Sequence, residues 1–190
     1  MTLATTPRTG PLADLIPGTW NVDTAHSTIG FTARHLMITK VHGHFNDFDG
    51  VVNIAENPLD STVIANVRLA SVDTGNADRD GHLHSPDFFN TEVHPEMTLR
   101  STSITERRSN YVLGADLTIA GETRPVEFTL EFDGVSTDPF AGKTRAGFEA
   151  ATEINRSDWG LSFNMTLDTG GVLVSEKIKI ELDIQLILAD

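Results

Sequence analysis

All seven histidines of this chain fall between His26 and His94, and the second half has none. His42 and His44 are two apart in a segment with strand character, so their imidazoles share a face and could share a zinc or copper ion. His82 and His84 would diverge on a helix, where residues two apart do not face each other. A metal site therefore needs the fold to bring the two pairs together, and surface or hydrogen-bonded histidines are the alternative. Asn76–Asp87 mimics a calcium loop, with Asn76, Asp78 and Asp80 at the first, third and fifth places, Gly81 at the sixth and Asp87 at the twelfth. Against that stand Asn at the first place, the short Asp at the last, and Pro86 inside. Gly142-Lys143-Thr144 ends like a phosphate loop, but Thr137 stands where the required glycine belongs. The chain has no nucleophile-elbow Gly-x-Ser-x-Gly and no His-Glu-x-x-His. Nothing in these residues requires an enzyme, and no cofactor is implied.

The elements that would position these groups are mostly strands. Apolar residues alternate along Ser27–Met37 (Ile29, Phe31, Ala33, His35, Met37), Thr62–Ala70, Glu96–Arg107, Tyr111–Ile119, Arg124–Asp133, Lys143–Ile154, Leu161–Leu167 and Val174–Leu188. Thr19–Asp23 reads as a short first strand, and Val41–Ala55 as one strand bent at Gly43 and Gly50. Ser109-Asn110 and Ala120-Gly121 read as turns, and Gly134–Gly142 as a loop. The alternation breaks in Thr74–His94, expected to lay one or two helical turns across the end of a β structure, with Ser85-Pro86 as a helix start. Eight or nine antiparallel strands of this kind would leave two open edges unless the sheet closes, so a barrel is expected, with a two-sheet sandwich as the alternative. An eight-stranded barrel is either filled by its own side chains or holds one small ligand, and the pattern alone leaves both open.

The chain of 190 residues suits one domain. A net charge of −13 argues against a nucleic-acid partner and against an anionic membrane as the main partner. The absence of cysteine excludes disulfides and thiol chemistry. No stretch approaches the length of a membrane span. Residues 1–17 show no signal-peptide pattern and read as a flexible extension preceding a domain at 18–190, which favours a cytoplasmic location.

The motifs HSTIGFTARHLMITKVHGHFNDFDG, SVDTGNADRDGHLHSPDFFN, HPEMTLRS, GADLTIAGETRPVEF and AGFEAATEINRSDWGL follow one another in this order. Together they resemble the YceI-like family of bacterial proteins, over about Gly18 to Leu188. The resemblance implies an all-β, lipocalin-like eight-stranded antiparallel barrel with a short helical segment near residues 76–90. It also implies an interior that holds an isoprenoid lipid, such as a quinone precursor or polyprenyl phosphate, often in a homodimer. Many relatives are exported, and the family has no established catalytic residues.

On that reading the small inward residues Ala33, Ala115, Ala146 and Ala150 leave room between Phe31, Phe128, Phe148 and Phe163. The expected lining is completed by Ile29, His35, Met37, Phe45, Phe88, Phe89, Leu113 and Leu117. Arg34, Arg79 and His82 are the candidates for a polar head group, because arginine donates paired hydrogen bonds to phosphate. His35 and Arg124 are further candidates; Arg79 and Arg124 have a structural ion-pair reading beside the functional one, and for Arg124 the structural reading is favoured. A metal- or stress-related role for His42 and His44 is the alternative function.

Overall fold

The computed structural model describes residues 11–108, 110–168 and 170–190. Eleven strands, all paired antiparallel, make one sheet: β1 (Gly18–Val22), β2 (Thr28–His35), β3 (Thr39–Phe45), β4 (Phe48–Ile54), β5 (Thr62–Arg68), β6 (Val72–Asp73), β7 (Glu96–Arg107), β8 (Asn110–Ile119), β9 (Glu122–Thr137), β10 (Thr144–Asn155) and β11 (Lys177–Leu188). The ring β1-β4-β5-β7-β8-β9-β10-β11 closes through Trp20↔Leu188, and the result is an eight-stranded barrel. Closure gives each of the eight ring strands two neighbours, which removes the pair of open edges an all-β sheet of this length would expose.

Three neighbouring strands of the barrel are each broken once. β11 pairs with β1 through its last residues and with β2 through Lys179–Asp183, so β1 and β2 are two halves of one staggered strand. The gap is stitched by Gln185, whose carbonyl accepts from Asp23 N–H and whose N–H donates to Ser27 Oγ. β3 and β4 break at Asn46-Asp47, not at Gly43 or Gly50, because both N–H groups of that break turn to Ser71. Gly43 instead lies flat under the Phe31 ring, which occupies the place a Cβ would need. β5 and β6 break at a 3₁₀ turn, Leu69–Ser71.

The helical interruption is α1 (Ala77–His84), and its cap differs from the one expected. Asn76 accepts from Arg79 N–H at the start, while Ser85 ends the helix, its hydroxyl donating to the His82 carbonyl at 2.7 Å. Asn76 won because its side chain is free to bond the first turn, whereas Pro86 stops the chain from continuing. Leu161–Leu167 forms no strand beyond an isolated bridge, Thr166↔Val172. β9 runs on through Gly134 to Thr137, so the expected loop is shorter. The two-residue hairpin at Ala120-Gly121 has both φ values positive, 48° and 82°. Of the turn expected at Ser109-Asn110, Ser109 lies outside the described residues, and Asn110 opens β8.

The extension is corrected in part. Residues 1–10 lie outside the described residues. Pro11–Asp14 forms a 3₁₀ turn, with Leu12 and Leu15 buried among Trp20, Val52, Ile54, Tyr111, Ala146 and Leu186. Two leucines spaced to one side of a tight turn gain more from burial than the turn loses in freedom.

Candidate functional site: an apolar lumen

The barrel encloses a cavity of about 160 Å³. Its walls come from inward positions of nearly every strand, among them Ile29, Val52, Val67, Leu99, Leu113, Leu117, Phe128, Phe148, Ala150 and Leu182. Among the described residues around it only Asp49 and Ser61 carry polar side chains. The Asp49 carboxylate turns outward to Asn66 and Arg68, at 2.9 and 2.7 Å. Hydrogen bonds from those two side chains hold it below the ordinary carboxylate range, so it stays ionised on the outside. Ser61 Oγ accepts from Ala55 N–H at 3.1 Å. A lumen with no free polar group has nothing to bind water, and a cavity of this size and lining stays dry.

The ends are closed differently. At the end where β1 begins, Leu12, Leu15, Ile54 and Pro58 face the cavity. The Pro11–Asp14 turn is fastened lightly there: Trp20 Nε1 donates to the Ile16 carbonyl at 3.0 Å, and the Tyr111 phenol hydrogen-bonds the Leu12 backbone. Burial, reinforced by Glu106, raises the Tyr111 phenol above its usual range. At the helix-covered end, Phe31, Phe45 and Phe89 stack in sequence, with centroids 5.7 and 6.1 Å apart. Trp159 seals the same region from the β10–β11 connection, and its indole N–H donates to the Leu117 carbonyl at 2.9 Å. Arg156, 3% exposed, holds that connection by donating to the carbonyls of Ser175 and Leu161 and to Glu176.

Of the expected lining, Ile29, Leu113, Leu117, Phe128 and Phe148 face the cavity, as does Ala150. Phe31, Phe45 and Phe89 instead form the closed end, and Ala115 and Ala146 are buried in the wall packing. Phe88 and Phe163 lie outside the lumen and cluster with the His82 ring, which meets them edge-on at 5.1 and 4.8 Å. Ala33 lies beyond the closed end, and His35 and Met37 are exposed, because β2 outruns the barrel core into the hairpin that follows it. None of the head-group candidates faces the cavity. Arg79 donates to the Thr74 hydroxyl and carbonyl, His82 pairs with Asp87 at 2.9 Å, and Arg124 pairs with Glu122 at 3.0 Å. Arg34 is exposed on the outer face.

Several groups of the calcium and metal patterns are already engaged, although His84 Nε2 is buried without a hydrogen-bond partner. Asn76 caps α1, Asp80 accepts from Thr74, and Asp87 meets His82. His42 Nδ1 contacts Thr32 Oγ1 at 3.0 Å, and His44 lies 4.0 Å from Asp73. Among the described residues no group of three His, Cys, Asp or Glu side chains is placed to hold a metal ion.

Sequence reasoning missed Leu12 and Leu15 at one end and Arg156 and Trp159 at the other. A signal was present for both. Leu12 and Leu15 are an apolar pair next to a proline-bounded segment, and Trp159 precedes Gly160, which sits at φ 75° as the end of a short turn.

These features agree with known proteins. The YceI-like domain model matches residues 20–186. A UPF0312 protein of Staphylococcus epidermidis is 43% identical over 163 residues, 85% of this chain and 93% of that protein. A UPF0312 protein of Photorhabdus laumondii is 42% identical over 146 residues, covering 76% of this chain and 73% of its own length. The YceI protein of Campylobacter jejuni superimposes with a TM-score of 0.71 at 26% identity, covering 83% of this chain and 90% of that one. A polyisoprenoid-binding domain from Saccharophagus degradans shares the fold, with a TM-score of 0.69 at 14% identity over 90% of this chain and 98% of that domain. The chain belongs to the YceI-like family.

Proposed function

We propose that this protein binds a long-chain isoprenoid lipid in the lumen of its barrel and carries or sequesters it. The observation that carries the reading is the apolar cavity at the centre of a closed barrel, lined by aliphatic and aromatic side chains from almost every strand. An isoprenoid tail has no hydrogen-bonding groups, so it suits walls that offer none. Each buried methylene-sized group contributes about 0.8 kcal/mol before ordering is subtracted, so affinity should climb with each added unit until the space is full. The name of the Saccharophagus domain, which shares only the fold, points in the same direction.

The cavity is smaller than the roughly 300–1,000 Å³ usual for ligand pockets. At about 160 Å³ it has room for a benzene-sized group, comparable to one isoprene unit. A longer tail therefore requires a wall to give way. The Pro11–Asp14 turn is the cheapest to move, because it lines the cavity yet belongs to no strand ladder. Leu12 and Leu15 act in this reading as a stopper that the lipid displaces.

The test is gentle purification, organic extraction and mass spectrometry, paired with titration of prenyl alcohols of increasing length. A co-purified prenyl lipid, or affinity rising with each isoprene unit, is the expected result. Absence of any prenyl species, together with affinity independent of chain length, would refute the proposal.

A further inference from the structure

The β2–β3 hairpin is built in a way the barrel does not require. Its loop is Leu36–Ile38, set between the paired His35 and Thr39, and Ile38 N–H donates to the His35 carbonyl at 3.1 Å. Leu36 and Met37 both have positive φ, 52° and 59°. Asn-Gly is the easy choice for such a turn, whereas Leu and Met resist the left-handed region. The loop is also apolar where it meets water: Met37 is 48% and Ile38 76% exposed. Exposed Met165 (58%) joins them, since its carbonyl accepts from Leu173 N–H and the Leu173 carbonyl accepts from Leu36 N–H.

Directly behind this tip the outer face is basic. Arg34 and Lys40 are cross-strand partners, both exposed. Like charges placed opposite each other weaken a ladder unless an anion lies between them. Among the described residues neither has an ion-pair partner. Carboxylates on adjoining segments are engaged elsewhere: Glu181 with Lys179, Glu153 with Lys177, and Glu176 with Arg156. Asp73 faces His44, and Asp168 is the only acid in the connection 161–174. The hairpin is thus an apolar tip on a cationic stem, in a chain whose net charge is −13.

We infer that the Leu36–Ile38 tip docks on the surface of an anionic bilayer, with Met37 and Ile38 entering the headgroup region and Arg34 and Lys40 meeting lipid phosphates. Overall negative charge does not forbid this. At physiological salt, charges more than about 8 Å away are largely screened, so the surface senses the hairpin and not the whole barrel. The tip lies beyond the end closed by Phe31 and Phe45, opposite the Pro11–Asp14 turn, so the contact is independent of lipid entry and needs no loaded lumen.

The test is co-sedimentation of the full chain with vesicles of phosphatidylcholine alone and of equal parts phosphatidylcholine and phosphatidylglycerol, at low and physiological salt. The chain should sediment with the phosphatidylglycerol vesicles and release as salt rises. Arg34→Gln with Lys40→Gln should weaken this binding roughly 25-fold, about fivefold for each cation. Met37→Gly should weaken it too while raising thermal stability, because glycine accepts the turn; opposite signs separate docking from folding. Ile38→Ser should lower binding with little effect on the fold. No sedimentation with anionic vesicles at low salt, or sedimentation untouched by these substitutions, would overturn the inference. So would light scattering that shows a dimer lost on Ile38→Ser, since the tip would then belong to a second copy. Vesicle binding is measured without a prenyl ligand and prenyl titration without vesicles, so one reading can fail while the other stands.

Discussion

Replacing Leu15 by alanine should make the empty protein less stable and the ligand tighter. Leu15 is 2% exposed and faces the lumen beside Leu12. Truncating a buried leucine to alanine costs about 2–5 kcal/mol, according to how many contacts are lost and how well the site collapses. One side of Leu15 already adjoins open space, so fewer contacts are lost and the cost should fall near about 2–3 kcal/mol. For a domain of this size each kcal/mol moves Tm by roughly 2–4 °C, which gives a fall of about 4–12 °C. The space released equals three carbon atoms. Filled by a ligand at about 0.8 kcal/mol per methylene, it contributes about 2.4 kcal/mol, a gain of roughly 50-fold in affinity. Thermal unfolding with and without a prenyl alcohol reads both quantities, and the ligand should recover most of the lost Tm. A lower affinity for every chain length would show that Leu15 holds the lipid and does not exclude it. An unchanged Tm would show that the Pro11–Asp14 turn is not seated in the barrel at all.

Three other outcomes are expected. Ala65→Phe projects a ring into the cavity and should abolish prenyl binding while circular dichroism and cooperative unfolding persist. Arg156→Met strands the carbonyls of Ser175 and Leu161, at about 1–3 kcal/mol for each lost buried partner, and should speed hydrogen exchange in residues 161–176 before any change in β8 or β9. Acid should weaken the Arg145 cluster. Burial alone would raise Asp23, but hydrogen bonds from His26, Arg145 and the Ala25 N–H outweigh it and hold the carboxyl below its ordinary value. The N–H groups of Ala141 and Phe140, then Arg145, lower Asp138. Carboxylates depressed in the folded state stabilise it above the unfolded value, near about 3.9, and that contribution disappears as pH falls through the folded values. Asp23→Asn should therefore flatten the acid limb of a Tm-against-pH curve, and an unaltered limb would refute the assignment.

Where strands alternate strictly, their order of faces was readable residue by residue. β4 along its length and β11 as far as Ile184 follow the two-residue period, so Val52, Ile54, Leu182 and Ile184 could be placed inward without a structure. The same logic failed at the end of β2. A period of two says which side a residue faces but not where the barrel stops, so Met37 read as lumen and proved to be an exposed loop residue. Leu161–Leu167 failed for a related reason: it alternates, but Trp159 and Arg156 tie its start to the barrel, and it pairs only through the isolated bridge Thr166↔Val172.

Composition and periodicity by themselves determined an antiparallel all-β chain without thiol chemistry and narrowed it to a barrel or a two-sheet sandwich, because one apolar face per strand has few other ways to be buried; the pairing of β1 with β11 decided for the barrel. What lies inside was decided by tertiary structure alone. Whether inward residues fill a lumen depends on how rings from distant segments meet: Phe31 folds onto Gly43, Trp159 reaches Leu117, and Leu12 and Leu15 arrive from a leader that has no strand pattern. Those contacts are long-range and non-periodic, so no local pattern encodes them, yet they set the cavity of about 160 Å³ on which the proposed binding rests.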